Sequence, residues 1–288
     1  MVVVLVVAAL AAACTPDEKP PPPAADTYVA LGDSFTAGTL VPNQNQTPSG
    51  CLRSDHNFPH LAAPSTGLPK LVDVSCSGAT TDHMTHAQSL PFGSPATSPP
   101  QFDALDFMTA LVTITIGGND VGYWSAITDM CTSTTGIGTP CQDQFVVNGV
   151  DMVSQSIAMA APKVAAVLTG IHQRATRAAV YVLAYEAIFP EPSLEGGTEG
   201  CFPQLPFTSG DVPYLRAKQQ ELNAMIRQQA AAHNATFVDT YGAGVGHDAC
   251  QPPAARWVEP VTSPGVGFKL HPNQAGMTGA KDALVAAL

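Results

Sequence analysis

The chain predicts an α/β domain in which a mostly parallel, five-stranded sheet lies between two layers of helices. Two observations carry that prediction. Five short apolar, β-prone runs, at residues 28–31, 71–75, 111–116, 179–185 and 236–239, alternate with stretches of helical character. Such alternation gives parallel strands, because each crossover back to the same sheet edge is made through a helix. The first three runs also end in polar, glycine-bearing turns. In an open parallel sheet all such turns fall on the carboxyl edge, where ligands bind. With 288 residues, 45% apolar and 12% charged, the chain can bury one sizeable core. A formal net charge of −11 argues against a nucleic-acid partner and offers no general attraction for acidic substrates or anionic membranes.

Taken in order, residues 1–13 are almost purely aliphatic, shorter than a spanning helix but suited to the apolar core of a signal peptide. Cys14 follows Ala11-Ala12-Ala13 and resembles the lipobox cysteine of bacterial lipoproteins, which is acylated and becomes the mature N-terminus; Leu10 sits one place earlier than usual. Ordinary export with cleavage after the alanines is the alternative. Residues 14–25, with four prolines from Pro20 to Pro23, read as a linker between that anchor and a domain over 26–288.

Tyr28-Val29-Ala30-Leu31 stops at Gly32-Asp33-Ser34 and continues into small, helix-compatible residues, predicting strand, tight turn and helix. Ser34 then lies beside the unpaired N–H groups of a helix start, which favour negative charge, so it is a candidate nucleophile; a serine there can also simply cap the helix. The polar loop Val41–Ser54 and a short helix at Phe58–Ala63 show no chemistry. Leu71–Ser75 is the second strand, and Cys76-Ser77-Gly78-Ala79 is expected to open a helix to about Ala87. Without a Cβ, Gly78 lets its N–H approach a developing oxyanion closely. Leu111–Ile116 is the clearest buried strand and ends in Gly117-Gly118-Asn119-Asp120, where Asn119 either donates to an oxyanion or caps the next helix. Helices are predicted over Val121–Met130, Val150–Arg174 and Pro213–His233, the last strands over Ala179–Tyr185 and Thr236–Asp239, and a final helix from the His271-Pro272-Asn273-Gln274 segment to Leu288.

Four of these blocks, in this order, resemble the GDSL esterase and lipase family, also called SGNH hydrolases. They are Gly32-Asp33-Ser34-Phe35, with Phe35 where leucine is usual, the turn at Gly78, Gly117-Gly118-Asn119-Asp120, and His271 with its helix start. The resemblance implies a flavodoxin-like three-layer α/β/α fold and ester hydrolysis through an acyl-enzyme on Ser34, with His271 as general base. It also implies an oxyanion hole of the Ser34 N–H, the Gly78 N–H and the Asn119 amide, and no metal or cofactor. The parts match the chemistry, since a hydroxyl needs a base to take its proton and a tetrahedral intermediate needs donors aimed at its oxygen. The family's aspartate three residues before the histidine is here Phe268. The expected orienting group is therefore the Phe268 backbone carbonyl, as in some secreted relatives, with Asp239 and Asp248 as rival acids. Phospholipases and carbohydrate O-deacetylases share this centre, and a non-catalytic, lipid-anchored binding protein is the reading from another class.

Six of the seven cysteines remain once Cys14 is set aside, and they can pair in several ways. Sequential pairing is simplest and resembles the plan of secreted relatives: Cys51 with Cys76, Cys131 with Cys141, Cys201 with Cys250. The pairs His56/His60 and His83/His86 have ligand-like spacing but no third ligand nearby, which favours surface roles over a metal site. His247-Asp248 could rival His271 but lacks the helix start. The expected partners are small-molecule or lipid esters, with membrane contact only through the N-terminal anchor, on an exported monomer.

Overall fold

The computed structural model describes residues 24–288 apart from 46, 91–95, 124–129, 134, 193–198 and 263, so the signal and lipobox assignments lie outside the described residues. The central strands are β1 (Thr27–Gly32), β2 (Lys70–Asp73), β3 (Thr109–Thr115), β4 (Ala179–Leu183) and β5 (Thr236–Val238). Their order is β5-β4-β3-β1-β2, and every pairing is parallel. That is the flavodoxin-like doubly wound arrangement expected from the sequence, with its topological switch point between β1 and β3.

Alternation along the strands divides the core between the two faces. Val112, Ile114, Val180 and Val182 join one apolar cluster, which α5 (Met152–Arg174) supplies with Ile157, Val164, Leu168 and Ile171. Leu183 and Val238 join the opposite cluster, with Phe58 and Ala62 of α2 (Phe58–Ala62) and Met277, Ala280 and Leu284 of α8 (Gln274–Ala287). Helix α5 is long and apolar enough to cross a membrane by composition, but its apolar stripe faces the sheet. Asp151 starts it by accepting the N–H groups of Val153 and Ser154, and a two-residue hairpin takes the place of its expected first turn. Helix α6 (Asp211–Ala232) packs beside α5 on the same face and returns the chain to β5.

The other helices whose residues are all described are short: α1 (Ser34–Ala37), α3 (Gly118–Val121), α4 (Pro140–Phe145) and α7 (Thr240–Ala243). One of the expected elements is corrected and another is interrupted. Instead of a helix from Cys76 to Ala87 there is one 3₁₀ turn, Thr81–Met84, because Gly78 turns the chain at φ +77° and the Asp120 carboxylate takes the Thr81 N–H and hydroxyl. The helix expected over Val121–Met130 is interrupted near its start: α3 ends at Val121, where Gly122 caps it at φ +69°, while Tyr123 and Met130 are again helical and residues 124–129 between them lie outside the described residues.

Three disulfides join Cys51 to Cys76, Cys131 to Cys141 and Cys201 to Cys250, the sequential pairing. By constraining the unfolded chain each contributes on the order of 2–4 kcal/mol. The first also fixes the Gly78 turn, since Ser77 N–H donates to the Cys51 carbonyl at 3.0 Å.

Candidate active site

Ser34 sits where β1 gives way to α1. Gly32 makes the turn possible: its φ is +128°, and a Cβ there would lie 2.6 Å from the Thr115 carbonyl oxygen, so only glycine lets β1 approach β3 this closely. Asp33 caps α1 by accepting the Phe35 N–H at 3.0 Å. Gly38 closes the helix at φ +67° with its N–H on the Ser34 carbonyl. Capping thus belongs to Asp33, which leaves the Ser34 hydroxyl for other work. It lies 2.8 Å from His271 Nε2. The two residues are 237 positions apart and are 5% and 6% exposed, so this pair is almost wholly withdrawn from water.

His271 precedes α8, whose start Asn273 caps by accepting the N–H groups of Ala275 and Gly276. Its loop is tied to residues 257–259: Glu259 N–H donates to the His271 carbonyl, Leu270 N–H to the Glu259 carbonyl, and Asn273 N–H to the Trp257 carbonyl. Beneath it, the buried Glu259 carboxylate accepts from Arg256, Asn273 and the Gly265 N–H. The Phe35 ring packs on the imidazole at 4.9 Å and Phe268 lies edge-on to it at 5.1 Å.

The expected orienting carbonyl is corrected by one residue. His271 Nδ1 faces the Lys269 carbonyl oxygen at 2.8 Å, whereas the Phe268 carbonyl accepts the backbone N–H of His271 at 3.1 Å. Residues 268–271 form a turn closed by that backbone bond, with Leu270 at φ +59°, the left-handed conformation type II turns need at their third position. The closing bond occupies the Phe268 oxygen and leaves the central carbonyl to meet the ring. Neither rival acid bonds to the imidazole. Asp239 caps α7 and pairs with Arg227, while Asp248 accepts from Cys250 N–H and the Gln251 amide. Burial, partly offset by the Lys269 carbonyl, pulls the His271 pKa down to about 4.

The other two blocks meet Ser34 at the same sheet edge. Cys76 N–H donates to the Gly32 carbonyl, and Ser77 and Thr39 are joined through their hydroxyls. Gly78 is exposed at φ +77°. Among the described residues nothing accepts from the Ser34 or Gly78 N–H. Asn119, in the short helix α3 that follows β3, donates one amide hydrogen to the Ala79 carbonyl at 2.9 Å, which holds its side chain against the Gly78 turn. A cleft of about 620 Å³ is lined by Asn119, Asp120, Thr81, Met84 and Phe102, with Lys163 beside Asp120.

The histidine pairs take local roles. His83 Nδ1 accepts the Thr80 N–H and His60 Nδ1 meets Asn57, while His56 and His86 lie beside Asp55 and Asp82. His247 stacks on Trp257 with its Nδ1 on the Ala255 carbonyl. Among the described residues no group of three or more His, Cys, Asp or Glu side chains is arranged to hold a metal ion.

Tyr185 escaped the sequence reading, where it is only the end of a strand. Its hydroxyl is buried between two site turns, donating to Asp33 and accepting from the Gly118 N–H. Burial pushes Asp33 up to about 7, against the opposing pull of those two hydrogen bonds from Tyr185 and Phe35. An aromatic residue closing a strand gives no sequence signal beyond β-propensity.

Residues 30–278 match the GDSL-like Lipase/Acylhydrolase family. Lipase 2 of Streptomyces coelicolor is 41% identical over 253 residues, 86% of this chain and 81% of that protein. The extracellular lipase of Streptomyces rimosus has a similar solved structure, with a TM-score of 0.73 and 27% identity over 92% of this chain and 100% of that one. The structure of phospholipase A1 from Streptomyces albidoflavus, 24% identical with a TM-score of 0.75 over 92% of this chain and 100% of that one, shows the same fold. The chain belongs to the GDSL-like lipase and acylhydrolase family and is a carboxylester hydrolase of that family's α/β fold.

Proposed function

We propose that Ser34 is the nucleophile and His271 the general base, with the oxyanion bound by the Ser34 N–H, the Gly78 N–H and the Asn119 amide. The observation that carries this reading is the 2.8 Å contact between Ser34 Oγ and a buried imidazole whose other nitrogen faces a backbone carbonyl. His271 Nε2 takes the hydroxyl proton as Oγ attacks the ester carbonyl. The same imidazole, now charged, returns the proton to the departing alcohol, and water then repeats the sequence on the acyl-enzyme. Lipid esters are the substrate class, in keeping with the name of the 41% identical lipase. Incubation with a fluorophosphonate followed by peptide mapping should place the label on Ser34. A label on another residue, or an unlabelled but active enzyme, would remove the assignment.

We further propose that residues 1–13 are removed on export, that Cys14 is acylated, and that residues 14–25 space a monomeric domain from the outer face of the cell membrane. The support is arithmetic and redox chemistry: six cysteines are joined in three disulfides, which form in oxidising compartments, and only Cys14 is left over. Intact-mass analysis of the membrane fraction is expected to show a diacylated or triacylated N-terminus and no free thiol. A soluble product beginning at residue 14 with one free thiol would favour ordinary secretion.

A further inference from the structure

We propose that Tyr185 is a positioning residue that locks the turn carrying Ser34 to the turn carrying Asn119, so that nucleophile and oxyanion donor keep one relative placement. This rests on the roles proposed above for Ser34 and Asn119, and it adds a residue outside all four blocks that resemble the family.

The phenol is fully buried and works in two directions at once. It donates to Asp33 Oδ2 at 2.5 Å, one residue before Ser34, and accepts the Gly118 N–H at 2.7 Å, one residue before Asn119. Asp33 passes the constraint on, because its other oxygen holds the Phe35 N–H at the far side of Ser34. The ring adds a third contact: it lies edge-on to Phe35 at 4.8 Å, and Phe35 in turn packs on the His271 imidazole. Tyr185 is itself held, since the Asn223 side chain in α6 accepts its N–H at 2.9 Å and donates to its carbonyl at 3.0 Å.

A side chain that only filled space would not need this hydroxyl. Phenylalanine fills the same space, but it leaves the Asp33 oxygen and the Gly118 N–H without the bond that joins them. Gly117, at φ +114°, gives the Asn119 turn a backbone with little steric restraint of its own, so a partner on Gly118 decides where the turn sits. Displacement of a donor by about 1 Å can cost up to roughly 10² in rate.

The test is to measure kcat and KM on a p-nitrophenyl ester for the wild type, Tyr185→Phe, Asn119→Ala, the double variant and Ser34→Ala, with near-UV circular dichroism to confirm folding. If Tyr185 acts through Asn119, Tyr185→Phe loses about 10- to 100-fold in kcat with KM within about threefold, and the double variant falls no more than about threefold below Asn119→Ala. A kcat near wild type, a loss confined to KM, or a full repeat of the Tyr185→Phe loss on the Asn119→Ala background overturns the proposal. Activity surviving in Ser34→Ala would instead overturn the acyl-enzyme reading on which it rests. Should Tyr185→Phe not fold, Asp33→Asn, which alters the acceptor of the same bond, is judged by the same criteria.

Discussion

His271→Ala is expected to lower kcat on a short-chain ester by roughly 10⁴- to 10⁶-fold, the range seen when a serine hydrolase loses its base. Asp239→Asn and Asp248→Asn, made separately, should each stay within about tenfold of wild type. Their carboxylates are engaged in capping and in contacts away from the imidazole, so neither stabilises the imidazolium directly. A fall of about 10⁴ in either aspartate variant would identify it as a triad acid and remove the dyad. The same arrangement fixes the pH dependence. The base must be neutral to accept the Ser34 proton, and burial holds His271 at about 4. The plot of kcat/KM for the free enzyme should therefore rise with pH through about 4 and be level by neutrality. An acid limb centred at or above the ordinary histidine value of about 6.5 would show that a carboxylate supports the ring.

The second large effect is expected at the oxyanion. Asn119→Ala should keep the fold and lose roughly 10²- to 10³-fold in kcat, the usual cost of one preorganised donor, with KM little changed. The lost bond to Ala79 is partly buried and its removal shifts stability by only about 1 kcal/mol, so a collapse of the protein is not the expected outcome. Near-normal turnover would leave Asn119 with a role in holding the Gly78 turn alone.

Much of this site is legible in the amino-acid sequence because it is built from strand ends. An apolar run that breaks at Gly32-Asp33-Ser34, or at Gly117-Gly118-Asn119, states both where the strand stops and which side chain emerges at the sheet edge. The sheet itself follows from the same alternation, and the sequential disulfides agree with the structure. What the sequence conceals depends on backbone direction or on distant partners. Whether residue 268 or 269 offers its oxygen to His271 turns on the left-handed conformation of Leu270, and leucine carries no signal for that state. The helix expected after Gly78 is lost to a carboxylate 39 positions away, because Asp120 claims the N–H of Thr81. Tyr185 and Asp33 are separated by 152 positions, and nothing local announces their contact.

The Lys269 carbonyl has a consequence for how this enzyme can change. A triad acid is a side chain, so one codon change can delete it and sequence comparison can follow its descent. Here the orienting atom is present whatever residue occupies position 269, and no codon change there removes it. Selection therefore acts on the shape of a four-residue turn. Within the proposed dyad, a substitution scan would find Ser34 and His271 sensitive and position 269 beside them tolerant. The third participant is inherited as a conformation, which leaves the Lys269 side chain free to drift toward whatever surface the substrate presents.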